Sequence, residues 1–221
     1  MNHPVPAVVV AMTGASGACY GLHLIRTLLD SGYAIDLLLT PASQLILARE
    51  QDLHWCGNSH DINQMVQEHF QEWQRLRYFG PDDWHASCAS GSGHSRQMVV
   101  CPCSMGTLAA IAHGLSNNLL ERAADVMLKE RRQLILVPRE TPLSALHLQN
   151  MLRLSRLGAI ILPATPGFYH RPGQISQLID FVVARILDQM GIEHQLVARY
   201  GAEGTVDHVA YRENRDSGAS R

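Results

Sequence analysis

Little in this sequence would place it in a membrane, on nucleic acid or around a metal ion. No apolar run is long enough to span a bilayer, and no charged segment leads into a short apolar stretch as in a secretory leader. A cytoplasmic protein without a membrane partner is therefore expected. Only 17% of residues are charged, the formal net charge is −2 and no basic block stands out, which argues against a nucleic-acid partner. The five cysteines are odd in number and irregularly spaced, a usage that suits reduced thiols. Cys101-Pro102-Cys103 is a C-x-C run, and no second pair or histidine cluster completes a zinc site, so no metal is expected. There is no internal repeat and no convincing domain boundary.

With 221 residues and 46% hydrophobic content, the chain is expected to form one globular domain over residues 1–200. A polar, disordered tail is expected over 201–221.

The most informative stretch lies near the N-terminus. Val8-Val9-Val10-Ala11-Met12 reads as one buried strand, and Tyr20 to Leu29 follows with helical period. Between them lies the turn Thr13-Gly14-Ala15-Ser16-Gly17. A strand feeding a helix through glycines gathers backbone N–H groups at the positive end of the helix dipole, which makes an anion site. The same turn is also compatible with glycines that only allow tight packing. The spacing Gly14-x-x-Gly17-x-x-x-Gly21 is neither the dinucleotide fingerprint nor a Walker loop, which needs Gly-Lys-Ser/Thr.

Further strands are expected at Ala34–Leu39, Met98–Cys101, Gln133–Val137 and Ala159–Leu162. Helices are expected at Ala42–Glu50, Ile62–Leu76, Asn118–Lys129 and Ile175–Met190, with an Ala-rich one after Ser104. Another should begin at Thr141-Pro142, a hydroxyl cap followed by proline, and stop at Gly158. Residues 52–96 are the least regular, with a Gly/Ser-rich segment of the kind that is functional or disordered. Strands alternating with helices imply a three-layer, Rossmann-like α/β fold with a mostly parallel sheet. Ligands of such sheets bind beyond the carboxyl ends of the strands, where the strand order reverses. A dinucleotide would want an acid at the end of the second strand. Asp36 lies near that strand's beginning, and Thr40 stands at its end, so a mononucleotide suits better. The rim then offers Ser16, Thr40, Ser104, Thr107, Arg139, Glu140 and Tyr169. No Ser-His-Asp or Cys-His arrangement is among them, which argues against acyl transfer.

Several separated motifs then resemble one family. Thr13-Gly14-Ala15-Ser16-Gly17-Ala18, Pro102-Cys103-Ser104-Met105-Gly106-Thr107, Arg122-Ala123-Ala124-Asp125-Val126, Leu128-Lys129-Glu130-Arg131-Arg132, Val137-Pro138-Arg139-Glu140-Thr141-Pro142 and Pro166-Gly167-Phe168-Tyr169-His170-Arg171-Pro172 look like the UbiX flavin prenyltransferases. The likeness runs from about Val8 to Leu187. It implies a flavodoxin-like Rossmann fold that binds reduced FMN as acceptor and needs no metal. The reaction joins a dimethylallyl group from dimethylallyl monophosphate to flavin N5 and C6. The product, prenylated FMN, serves a UbiD-type decarboxylase, including the one in ubiquinone biosynthesis. A homo-oligomer, commonly a dodecamer, with sites at subunit interfaces is also implied.

By the same resemblance, Gly14, Ala15 and Ser16 hold the flavin, with the Ser16 hydroxyl near N5. Thr40, Ser104, Met105 (through its backbone), Gly106, Thr107 and Arg139 hold more of the FMN. Tyr169, Arg185, Lys129 and Ser90 bind the donor phosphate. Arg122 stands with this set, a structural or interface role being the stronger reading. Glu50 and Glu140 match the acid/base carboxylates, and Trp84 the aromatic wall, although a tryptophan in such a segment is more often a packing anchor.

Three other functions come into question. A flavin-dependent decarboxylase of the phosphopantothenoylcysteine type would carry a Pro-x-Met-Asn motif, which Ser116-Asn117-Asn118-Leu119 does not supply. A direct carboxy-lyase on a polyprenylated aromatic acid would find little room on a small polar rim. A non-catalytic flavin-storage protein would not need a second phosphate-binding set.

Overall fold

The structure is a computed structural model, and it describes residues 7–198. The tail expected over 201–221 lies outside the described residues.

Six parallel strands form one sheet: β1 (Ala7–Met12), β2 (Ala34–Leu39), β3 (Leu76–Phe79), β4 (Gln97–Cys103), β5 (Gln133–Pro138) and β6 (Ile160–Ile161). Their order is β3-β2-β1-β4-β5-β6, which reverses between β1 and β4. Without the edge strand β3, the remaining five lie in the flavodoxin order, and β3 extends it to the doubly wound order of six. The helices are α1 (Ala18–Asp30), α2 (Pro41–Gln51), α3 (Ser59–Phe70), α4 (Met105–Ala112), α5 (Leu119–Lys129), α6 (Ala145–Arg156) and α7 (Ile175–Met190).

Both faces of the sheet are covered, so the central strands are apolar throughout. Val8, Val10 and Met12 point to a core shared with α1, α3 and α7, while Val9 and Ala11 point to a second core under α4, α5 and α6. The register of β4 against β5 shifts between Val100 and Cys103. Cys101 and Cys103 consequently face opposite cores and cannot share one ion, although they are only two residues apart. All five cysteines are free.

Two sequence expectations need correction. The third helix ends at Phe70, not Leu76, because Gln71 turns left-handed (φ 54°) and caps it. The chain then enters β3, a strand absent from the sequence reading. Thr141-Pro142 does not open α6. Ser144 does, its hydroxyl accepting from His147 N while His147 Nδ1 accepts from Ser144 N, a reciprocal box that fixes the start three residues later.

Candidate active site

Thr13 closes the reversal point. It is buried, its hydroxyl donates to the Pro102 carbonyl at 2.8 Å and accepts from Ser104 N at 2.7 Å, and its own N–H also reaches Pro102 O. One side chain thus ties the ends of β1 and β4 together at the point where a ligand would sit. Thr13 opens the first of the motifs that carry the family resemblance, which implies no role for it. Its place on the last strand-to-turn step, facing the neighbouring strand, was the available signal.

Beyond Thr13 the turn lies close to α2. A Cβ on Gly14 would stand 2.5 Å from that of Ala42. Gly17 takes φ 108°, which a side chain would disfavour, and offers no side chain to cap α1. The cap comes from elsewhere. Glu50, at the end of α2, accepts from Gly17 N at 2.9 Å and from Ala18 N at 3.0 Å. The anion site anticipated at this helix start is therefore filled from within, by a carboxylate in place of a phosphate.

The electrostatics of Glu50 follow. Partial burial acts to raise its pKa. Hydrogen bonds from the Ser16 hydroxyl and from the Gly17 and Ala18 N–H groups, with the charge of Arg139, outweigh burial and hold the carboxyl below its ordinary value. Arg139, following β5, donates from Nε to the Ser16 carbonyl at 3.1 Å. Ser16, Glu50 and Arg139 are thus gathered into one cluster above β1.

Thr40 and Ser104 are on the same rim. Each caps a helix, Thr40 accepting from Ser43 N at 3.1 Å and Ser104 from Thr107 N at 3.3 Å. The Ser104 hydroxyl donates to Thr107 Oγ1 at 3.1 Å. Met105 is buried, leaving its backbone as the part nearest the rim, and a Cβ on Gly106 would meet open space. Glu140 is exposed and accepts from the following amide, Thr141 N, at 3.1 Å.

The other expected residues form separate groups within one chain. Lys129 ends α5 just before β5 begins, so it lies toward the amino ends of the strands, away from Ser16. It pairs with Glu130 at 2.5 Å. The Ser90–Gly91 loop comes to the same place, since a Cβ on Gly91 would stand 2.9 Å from Lys129 Nζ. Arg122 donates from Nε to Ala89 O at 3.0 Å and pairs with Asp125 at 2.9 Å, which anchors that loop on α5. Trp84 follows β3 and is 46% exposed, so it is no packing anchor; Trp55 fills that role at 4%. Tyr169 rests its ring against Phe181 (centroids 5.7 Å apart), and Arg185 stands on α7.

The donor set suits a phosphorylated, polyhydroxylated ligand. Hydroxyls of Ser16, Thr40, Ser104 and Thr107 ring the reversal point, and among the described residues only Nε of the Arg139 guanidinium is hydrogen-bonded. A parallel sheet with this rim defines a flavin-binding α/β protein, and the sequence profile of the flavoprotein family matches residues 2–187.

The flavin prenyltransferase UbiX of Pseudomonas aeruginosa is 50% identical over 200 residues, covering 90% of this chain and 96% of that protein. That of Methanothermobacter thermautotrophicus is 44% identical over 196 residues, covering 89% and 96%. The chain belongs to the UbiX-type flavin prenyltransferases. Among solved structures, AnUbiX (PadA1) in complex with FMN and dimethylallyl pyrophosphate superposes with a TM-score of 0.79 at 37% identity, covering 90% of this chain and 99% of that one. A dodecameric FMN-dependent UbiX-like decarboxylase from Escherichia coli O157:H7 gives 0.77 at 38%, covering 89% and 100%. A PPC decarboxylase shares the fold alone, with a TM-score of 0.56 at 18% identity, covering 84% and 99%.

Proposed function

We propose that this protein transfers a dimethylallyl group from dimethylallyl monophosphate to reduced FMN, and that the prenylated FMN goes to a UbiD-type decarboxylase, with ubiquinone biosynthesis the expected pathway. The observation that carries the reading is the Ser16–Glu50–Arg139 cluster at the reversal point of a UbiX-type chain. A reduced flavin bound there supplies the nucleophile for the allylic carbon.

The chain's own residues perform the rest. Gly14 and Ala15 admit the ring system closely, while Thr40, Ser104, the Met105 and Gly106 backbone, Thr107 and Arg139 hold the ribityl phosphate. Glu50, held ionised, is a proton acceptor at Oε2. The Ser16 hydroxyl donates to it, which makes a short path for a proton leaving the acceptor. Glu140 supplies the second carboxylate. Tyr169, Arg185, Lys129 and Ser90 receive the departing phosphate through charge-assisted bonds. Trp84 offers its face to the developing allyl cation, a contact worth about 2 kcal/mol when desolvated.

One chain does not unite these groups, so a second copy completes the site. Exposed leucines on α6 (Leu146, 60%; Leu148, 53%; Leu152, 51%) and the dodecameric relative support a homo-oligomer. The Glu140→Gln variant tests the assignment of that carboxylate. It should retain FMN binding and form the isoprenyl adduct about a hundredfold more slowly, the low end of the range for a general base. Unchanged turnover would remove Glu140 from the mechanism.

A further inference from the structure

Arg185 does not stand alone on α7. Its Nη1 donates to Asp188 Oδ2 at 2.6 Å, one helical turn on. The other carboxylate oxygen, Oδ1, lies 3.2 Å from Nε2 of His194, which the chain brings back after the helix ends at Gly191. The His194 side chain is only 8% exposed, against 52% for Arg185. An ionised carboxylate only accepts, so Nε2 carries a proton and donates. Both oxygens of Asp188 are therefore occupied, and the direction of the Arg185 bond is set by a buried ring.

Two features say that this network serves the arginine. Asp188 lies in the last turn of α7, where a negative charge opposes the helix dipole, so helix stability does not call for an acid there. Arg185 also lines a cavity of about 260 Å³ beside β6, whose other walls include Ile161, Leu162, Thr165 and Phe181. A mixed lining, in which the Arg185 guanidinium, the Thr165 hydroxyl and the Gln189 amide stand among aliphatic and aromatic side chains, suits a phosphate carried on a short apolar group. A free arginine must give up several rotatable bonds to meet an anion, and a monodentate partner at Nη1 removes most of that freedom while leaving Nη2 and Nε to donate.

We propose that Asp188, oriented by His194, is a positioning residue that presets Arg185 for the phosphate of the prenyl donor. The proposal rests on the phosphate-binding role given to Arg185 above.

The test uses the full-length, FMN-loaded protein. Steady-state adduct formation and calorimetric binding of inorganic phosphate are measured for wild type, Asp188→Ala, Asp188→Asn, His194→Ala and Arg185→Ala. Asp188→Ala should raise the donor KM and the phosphate dissociation constant about tenfold, with kcat and FMN affinity within twofold. Asp188→Asn, which keeps an acceptor for Nη1, should recover most of the loss, and His194→Ala should fall between them. Adding Asp188→Ala to Arg185→Ala should change nothing further.

A donor KM within twofold of wild type, or a lower one, would overturn the proposal. So would an equal loss of FMN affinity, or an undiminished effect without Arg185. If wild type forms no adduct, the transferase reading fails, and the phosphate titration still decides the role of Asp188.

Discussion

Glu50 occupies the place a ligand anion would take at the start of α1, and its ionisation follows from three donors and a cation that outweigh partial burial. Its folded pKa lies below the ordinary 4.5, so what depends on its charge is complete above that value and is lost only as pH falls through the depressed one. If Glu50 is the proton acceptor, the acid limb of the activity profile falls below pH 4.5 wherever the fold survives. Glu50→Gln should slow adduct formation about a hundredfold and abolish that limb. A profile that keeps its acid limb in Glu50→Gln would assign it to another group. Thr13 presents a second residue-scale case. Thr13→Val removes the side-chain acceptor of Ser104 N–H and should lower unfolding free energy by about 1–3 kcal/mol in urea titrations, with Thr13→Ser restoring most of it. Equal stability of the Val and Ser forms would show that the staple is not needed.

Among the elements, the turn between β1 and α1 sits against α2, and this contact holds Glu50 over the Gly17 and Ala18 amides. Gly14→Ala would place a methyl 2.5 Å from the Ala42 Cβ, with no flexible side chain to yield. The turn and α2 must then separate, and FMN affinity should fall at least tenfold while far-UV circular dichroism remains native. An affinity within twofold of wild type would contradict the close-approach role. The loop from Trp84 to Ser92 behaves differently from its composition. Arg122 holds Ala89 O, Arg132 bonds Gly91 O, and the Ser87 hydroxyl donates to the buried Asp36 at 3.2 Å. A Gly/Ser-rich segment is thereby pinned by residues far away in sequence, none of which its own composition reveals.

Taken as a whole molecule, the parts legible from sequence were those with strong periodicity or strong motifs. The span of α7, the span of β2 and the free cysteines follow from apolar runs and irregular spacing. The strand β3 was hidden because Leu76 and Tyr78 alternate with an exposed arginine over only four residues, and because Gln71 ends α3 without glycine or proline. The rim residues were legible because they follow strands of a parallel sheet. The capping of α1 by Glu50 was not, since it joins positions 33 residues apart through a tertiary contact. Nor could one chain's sequence show that Lys129 and Ser90 lie toward the opposite end of the sheet from Ser16. That separation makes assembly part of the proposed mechanism. Transfer to the flavin is decided by incubating the purified protein without oxygen with reduced FMN and dimethylallyl monophosphate, and measuring the mass of the extracted flavin. A flavin heavier by one isoprenyl unit is expected, and recovery of unmodified FMN from protein that has bound it would rule the transfer out.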